Sequence, residues 1–351
     1  MNSKQRFYAA VEYKDPDRPP IAPLAGQPYV FEKLFGYLNV KTYDEFQLKV
    51  GEDFRFVYPR YAGRELRKFE DGSYEGFWGE RYKRVSFSGG TYEEPVYQPF
   101  KDIEDVKELK TFEFPSPDWY DYSTVKEQCE KYSEYVVMTG GAGHMDFMNG
   151  IGFIRGIEQV YLDVGLESEV FLELVERRYE YFYEIIRRTL EAGKGAIDVV
   201  YCGEDLGTQL GPVISPEKFD LLFAPKYKSL FELVHSYGAK TMMHSCGSVR
   251  AFIPRLIAIG LDILDVIQVD AAGMDIIGLH RDFYGKIVLC GSISVQSLLP
   301  KGSPEDIRRE IELRKELFRH GGMIIGPTNV MQIDMPMENF EAMCRAIGCM
   351  K

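Results

Sequence analysis

Short apolar runs of strand length alternate with longer amphipathic stretches along almost the whole chain. The runs fall at residues 21–24, 54–58, 135–139, 196–201, 241–244, 263–267, 286–290 and 323–326. Several are apolar at consecutive positions, the pattern of parallel strands covered by helices on both faces. Between them, residues 168–192 carry Val170, Phe171, Leu174, Val175, Phe182, Ile185, Ile186 and Leu190 at three- and four-residue spacing, which predicts an amphipathic helix. Ser215-Pro216-Glu217 and Ser303-Pro304-Glu305 each place a capping hydroxyl, a helix-starting proline and an early acid in order. Gly321-Gly322 stops the last long helix before Met323. Eight strands alternating with helices predict an α/β fold of the (β/α)8 TIM-type barrel kind, one domain over residues 1–351. A doubly wound open sheet is the competitor, but no G-x-G-x-x-G follows any strand.

Residues 60–99 break the alternation. Segments 72–79, 81–86 and 89–92 alternate aromatic and polar residues between glycine-rich turns and predict β-hairpins. They lie between the second and third strands, so in a barrel they form an insertion at the catalytic rim: a lid, or a contact with a second copy in a homodimer.

Composition narrows the function. Of 351 residues, 45% are hydrophobic and 27% charged, which is globular usage. A net charge of −12 argues against broad nucleic-acid binding, which needs clustered Lys and Arg. No apolar run approaches the roughly 20 residues that span a bilayer, and residues 1–14 hold no apolar signal region. Six cysteines without a C-x-x-C pair suit a reducing, cytoplasmic location.

In a barrel the chemistry gathers at the C-terminal strand ends. There the sequence reads Cys202-Gly203-Glu204-Asp205 with Gln209 beyond, then His244-Ser245-Cys246, Gln268-Val269-Asp270, Gly291-Ser292-Ile293 and Pro327-Thr328-Asn329. Alternate strand residues share a face, so His244 and Cys246 can serve one site as zinc ligands, with Glu204 or Asp205 as the third. The same pair also fits a hydrogen-bonded histidine and a buried thiol. Glu204, Asp205 and His244 are the candidates for catalytic proton handling or metal binding. Gln209, Gln268, Asp270, Asn329, Tyr58 and His144 are candidates for substrate contact, and each has an ordinary structural explanation as well. His235 and His320 fall at helix C-terminal ends, where a cation suits the dipole.

These residues resemble the uroporphyrinogen decarboxylase superfamily, which includes corrinoid-dependent methyltransferases. The resemblance rests on Gly203-Glu204-Asp205-Leu206-Gly207, His244-Ser245-Cys246-Gly247-Ser248, Gly260-Leu261-Asp262-Ile263-Leu264, Gly291-Ser292-Ile293, Asp334-Met335-Pro336-Met337-Glu338-Asn339 and Arg18-Pro19-Pro20. It implies a (β/α)8 barrel. The family's decarboxylases carry an arginine-rich loop after the first strand and a histidine after the last. Here those places hold Leu24-Ala25-Gly26-Gln27-Pro28-Tyr29 and Asn329. The methyltransferase branch holds zinc with His-x-Cys and a later cysteine. His244 and Cys246 match, the later cysteine is missing near Asn329, and Cys344 and Cys349 are poor substitutes. The resemblance therefore implies methyl transfer between a small methylated compound, such as an aryl methyl ether or a methylamine, and a corrinoid protein, assisted by zinc. With no D-x-H-x-x-G run in the chain, the cobalamin would arrive on the partner. The alternatives are a decarboxylase acting on a carboxylate smaller than a porphyrinogen, and a non-catalytic barrel that binds a small molecule.

Overall fold

The computed structural model describes residues 1–87 and 90–350. Seven strands make one parallel sheet whose spatial order is the chain order. They are β1 (Phe54–Phe56), β2 (Val136–Met145), β3 (Val199–Gly203), β4 (Lys240–His244), β5 (Ile263–Ile267), β6 (Val288–Ile293) and β7 (Met323–Pro327). The sheet curls around Phe7, Phe54, Met138, Val199, Met242, Ile263, Val288, Cys290 and Ile324. A larger apolar layer, where the helices pack, covers its outside. The long helix Glu169–Gly193 follows the predicted periodicity, and Ser215 and Ser303 cap their helices by accepting from Lys218 N and Asp306 N.

The first of the eight expected strands is reduced to a bridge. Ile21 pairs in parallel with Ile325 of β7, and Ala22 N donates to Ile325 O at 2.8 Å while Ile325 N donates to Pro20 O at 2.9 Å. Pro19, Pro20 and Pro23 have no N–H to give, so no longer ladder can form there. The architecture is a curled α/β half-barrel of TIM type, with this segment lying along its last strand.

Asp53 holds that edge to β1. Its fully buried carboxylate accepts from Arg6 Nη1 at 2.7 Å, from Arg18 Nη1 at 2.8 Å and from Ile21 N at 2.9 Å. Beside it lies Glu52, also buried, whose Oε1 accepts from Gln47 Nε2 at 2.9 Å. Burial pushes the Glu52 carboxyl up to about 7, partly opposed by the Gln47 bond. Its folded value is then above its unfolded value, so the folded chain keeps a proton that the unfolded chain releases. Stability is expected to fall as pH rises from about 4.5 to about 7, by on the order of 2–3 kcal/mol. Chemical denaturation of Glu52→Gln across that range should give a flatter profile and a more stable protein at pH 8. An unchanged slope would show that Glu52 is not its source.

Outside the parallel sheet, Tyr74–Glu75, Arg81–Phe87 and Gly90–Tyr97 form a separate three-stranded antiparallel sheet. Gly89 of the expected turn lies outside the described residues. The Phe87 ring meets Tyr29 edge-on at 6.3 Å, so this sheet reaches the first turn of helix Pro28–Leu38, which follows the Ile21 bridge. Trp78 anchors the base of the sheet, packed edge-on against Tyr181 of the long helix at 5.5 Å.

Candidate functional site

The parity of the strands decides which side chains meet. Tyr201 on β3 joins the interior apolar cluster while Cys202 joins the outer one. Asp205 shares the parity of Tyr201, and Glu204 that of Cys202. In register, Gly203 pairs with His244, and Asp265 of β5 pairs with His244 from the other flank.

Asp205, His244 and Cys246 each bring one ligand atom to within 4.8 Å of the others, and among the described residues they are the one such group of three. His244 stands between two aspartates. Its Nδ1 is 3.1 Å from Asp265 Oδ2, and its Nε2 is 3.6 Å from Asp205 Oδ1. Tyr201 OH donates to the same Asp265 oxygen at 2.5 Å. Asn149 Nδ2 donates to Asp205 Oδ2 at 2.8 Å, and Cys246 N donates to Asp205 Oδ1 at 3.3 Å. Burial works against a charge on His244, but its bond to Asp265, with the Cys246 thiol and the Asp265 and Asp205 charges nearby, outweighs it and holds the imidazole well above its ordinary value. Burial likewise raises the Asp265 carboxyl, and the His244 and Tyr201 bonds bring it below the usual range.

Glu204, expected as a ligand, stands elsewhere. It is fully buried, accepting from Phe147 N and Tyr227 OH at 2.9 Å and from Met148 N at 3.0 Å. It thus anchors the first turn of helix Phe147–Arg155 rather than facing His244. Burial, and then the charge of Asp146, push its carboxyl well up. Asp146 itself is raised to about 6, chiefly by burial. The converging group that could hold an ion takes its acid from Asp205, the neighbour of opposite parity.

The expected substrate contacts are dispersed. Gln268 accepts from Gly247 N at 2.9 Å and donates to Gln209 Oε1 at 2.7 Å, and Gln209 donates to Gln296 at 2.8 Å. These amides tie the rim loops together. Asp270 accepts from Ser297 Oγ at 2.7 Å, and Asn329 folds onto the next backbone N–H, Val330, at 2.7 Å. Tyr58 and His144 line a small cavity of about 70 Å³ with Tyr120, Gly140 and Phe182, and none of the three metal-group residues borders it. Burial, with the Arg178 charge behind it, lowers His144 to about 4, so its ring is neutral at physiological pH.

The sequence reading missed Asp265 and Tyr201. A signal was present for Asp265: a lone carboxylate inside the apolar run Ile263-Leu264-Asp265-Val266-Ile267 has to be explained by a partner.

The sequence pattern of the uroporphyrinogen decarboxylase (URO-D) family matches residues 85–348. No curated protein matches the chain. Among solved structures, a methyltransferase from Methanosarcina mazei superposes with a TM-score of 0.67 at 14% identity, covering 99% of this chain and 98% of that one. At that identity the likeness speaks for the fold. The 3-keto-D-glucoside 4-epimerase YcjR from E. coli gives a TM-score of 0.33 at 12% identity, over 73% of this chain and 95% of that one.

Proposed function

The chain belongs to the uroporphyrinogen decarboxylase family, and from that premise we propose that it is a methyltransferase, one domain with residues 60–99 as cover, that moves a methyl group between a small methylated compound and a corrinoid carried by a partner protein. The observation that carries this reading is the convergence of Asp205, His244 and Cys246. One oxygen, one nitrogen and one sulfur donor suit a zinc ion, and three protein ligands would leave a position open to substrate. Zinc held by Asp205, His244 and Cys246 would supply a Lewis acid for the heteroatom that bears the methyl group, and the partner's reduced corrinoid would supply the nucleophile for the methyl carbon.

The chain's own residues supply order and exclusion of water. Asn149 and the Cys246 amide hold the Asp205 carboxylate in place. The linked amides of Gln209, Gln268 and Gln296 fix the loops around Cys246. The antiparallel sheet that reaches Tyr29 would shield the mouth from solvent. An aryl methyl ether or a methylamine fits a rim whose segment 24–29 carries no cation. That same absence leaves the eight carboxylates of a porphyrinogen without compensation.

The test combines purified protein loaded with zinc, a corrinoid protein reduced to cobalt(I), and panels of aryl methyl ethers and methylamines. Loss of cobalt(I) absorbance with matching loss of one substrate is expected, and no turnover without the corrinoid protein. Carbon dioxide release from a small carboxylate in the absence of corrinoid would replace this reading with a decarboxylase.

A further inference from the structure

We propose that Asp265, backed by Tyr201, is the positioning residue that turns the His244 imidazole so that Nε2 serves the cluster with Asp205 and Cys246. This assignment rests on the metal-site reading above. Two aspartates bracket one imidazole, and the structure separates their roles. Asp205 faces Nε2 at 3.6 Å and belongs to the group of converging ligand atoms. Asp265 faces Nδ1 at 3.1 Å and does not belong to that group.

The three residues come from adjacent strands, with β4 between β3 and β5. Tyr201 and Asp265 therefore reach His244 from opposite flanks, a layer deeper in the barrel than Cys246. Asp265 Oδ2 takes the Tyr201 hydroxyl at 2.5 Å and the His244 Nδ1 at 3.1 Å, while the Tyr201 oxygen is itself 3.4 Å from Nδ1. The Cys290 thiol on β6 lies beside Asp265, and burial with the Asp265 charge pushes that thiol well up. The Tyr201 and His244 donors restrain the carboxylate. A carboxylate pinned this way accepts one proton direction only, so when a bound ion displaces the Nε2 proton the imidazole would keep its hydrogen on Nδ1 and offer the Nε2 lone pair. Without Asp265 the ring is free to rotate about its side-chain bonds or to present the other nitrogen. The Asp265 side chain bonds Tyr201 and His244 and lies outside the group of converging ligand atoms, so it acts through His244.

The experiment measures zinc affinity by competition with a chromophoric chelator, and the visible spectrum of the Co2+-loaded protein, for wild type, Asp265→Asn, Tyr201→Phe, Asp205→Asn and His244→Ala. Asp265→Asn is expected to bind zinc about 10–100-fold more weakly, with its Co2+ bands shifted in position and intensity. Tyr201→Phe should weaken binding less, within about ten-fold, because Asp265 stays in place. If Asp265→Asn fails to fold, Tyr201→Phe carries the test alone. Wild-type affinity and an unchanged Co2+ spectrum in both variants would overturn the assignment. So would loss of zinc in Asp265→Asn as complete as in His244→Ala while Asp205→Asn retains it, since Asp265 would then be the ligand. A wild-type protein that takes up neither metal would bring down the metal-site reading itself, and this assignment with it.

Discussion

Cys246→Ala and His244→Ala are each expected to take bound zinc from about one equivalent per chain to almost none after dialysis, with methyl transfer falling by about a thousand-fold or more. With three protein ligands, loss of one leaves two, too few to compete with buffer and water for the ion. Neither substitution should disturb the fold much, because both side chains are partly exposed at a strand end rather than packed in the core. Glu204→Gln is the discriminating partner. Its carboxylate is occupied by Phe147 N, Met148 N and Tyr227 OH, so zinc content should stay at the wild-type level. Asp205→Asn should instead lower it, since its oxygen belongs to the converging group. Metal analysis by mass spectrometry decides the matter. Full zinc in Cys246→Ala, or zinc lost from a folded Glu204→Gln, would place the ion somewhere other than this strand-end cluster.

The outcome of Glu204 against Asp205 shows where sequence reasoning loses resolution. Runs apolar on both faces mark parallel strands plainly: residues 263–267 form β5 with the same limits, and 323–326 lies inside β7. The H-x-C pair is equally readable, because alternation fixes that His244 and Cys246 share a side. An acid pair of consecutive residues has no such safeguard. One member faces in and the other out, and the choice depends on which face of β3 looks into the barrel. Tyr201 carries that information, but only once it is placed in the interior cluster. The first strand was misjudged for a different reason. Its apolar residues suit a strand, yet its prolines cannot donate to a ladder, so backbone chemistry overrode hydrophobic pattern. Gln209, Gln268, Asp270 and Asn329 sit at the correct ends of their strands, and sequence cannot show that their polar atoms are already used by neighbours. Asp265 and Tyr201 come from different strands and meet only through the sheet's register, which no local motif encodes.

Asp53→Ala is expected to destabilise the protein by about 3–5 kcal/mol, the largest stability effect of any single polar substitution argued from this fold. The reason lies in what Asp53 leaves behind. Its carboxylate has no exposed surface and neutralises two guanidinium groups at once, Arg6 at 2.7 Å and Arg18 at 2.8 Å. It also accepts from Ile21 N at 2.9 Å, the backbone of the segment that takes the place of the missing strand. Removing it strips two largely buried guanidinium groups of their shared carboxylate and frees the segment bridged to β7, so electrostatic and topological losses coincide. Asp17 is the internal comparison. It bonds Arg6 Nε at 2.7 Å, shorter than many good ion pairs, but its side chain is 40% exposed and water can replace it. Asp17→Ala should therefore cost below about 1 kcal/mol. With folded domains typically stable by about 5–15 kcal/mol, the Asp53 loss would appear as a melting point lower by roughly 5–10 °C, or as failure to accumulate folded protein. Arg18→Met alongside Asp53→Leu should recover part of the loss, because removing charge and countercharge together leaves less buried charge unpaired. Equal melting temperatures for Asp53→Ala and Asp17→Ala would mean that the edge is held by the apolar contacts of Phe7 and Ile21 alone, and that the carboxylate only fills a space between the two arginines.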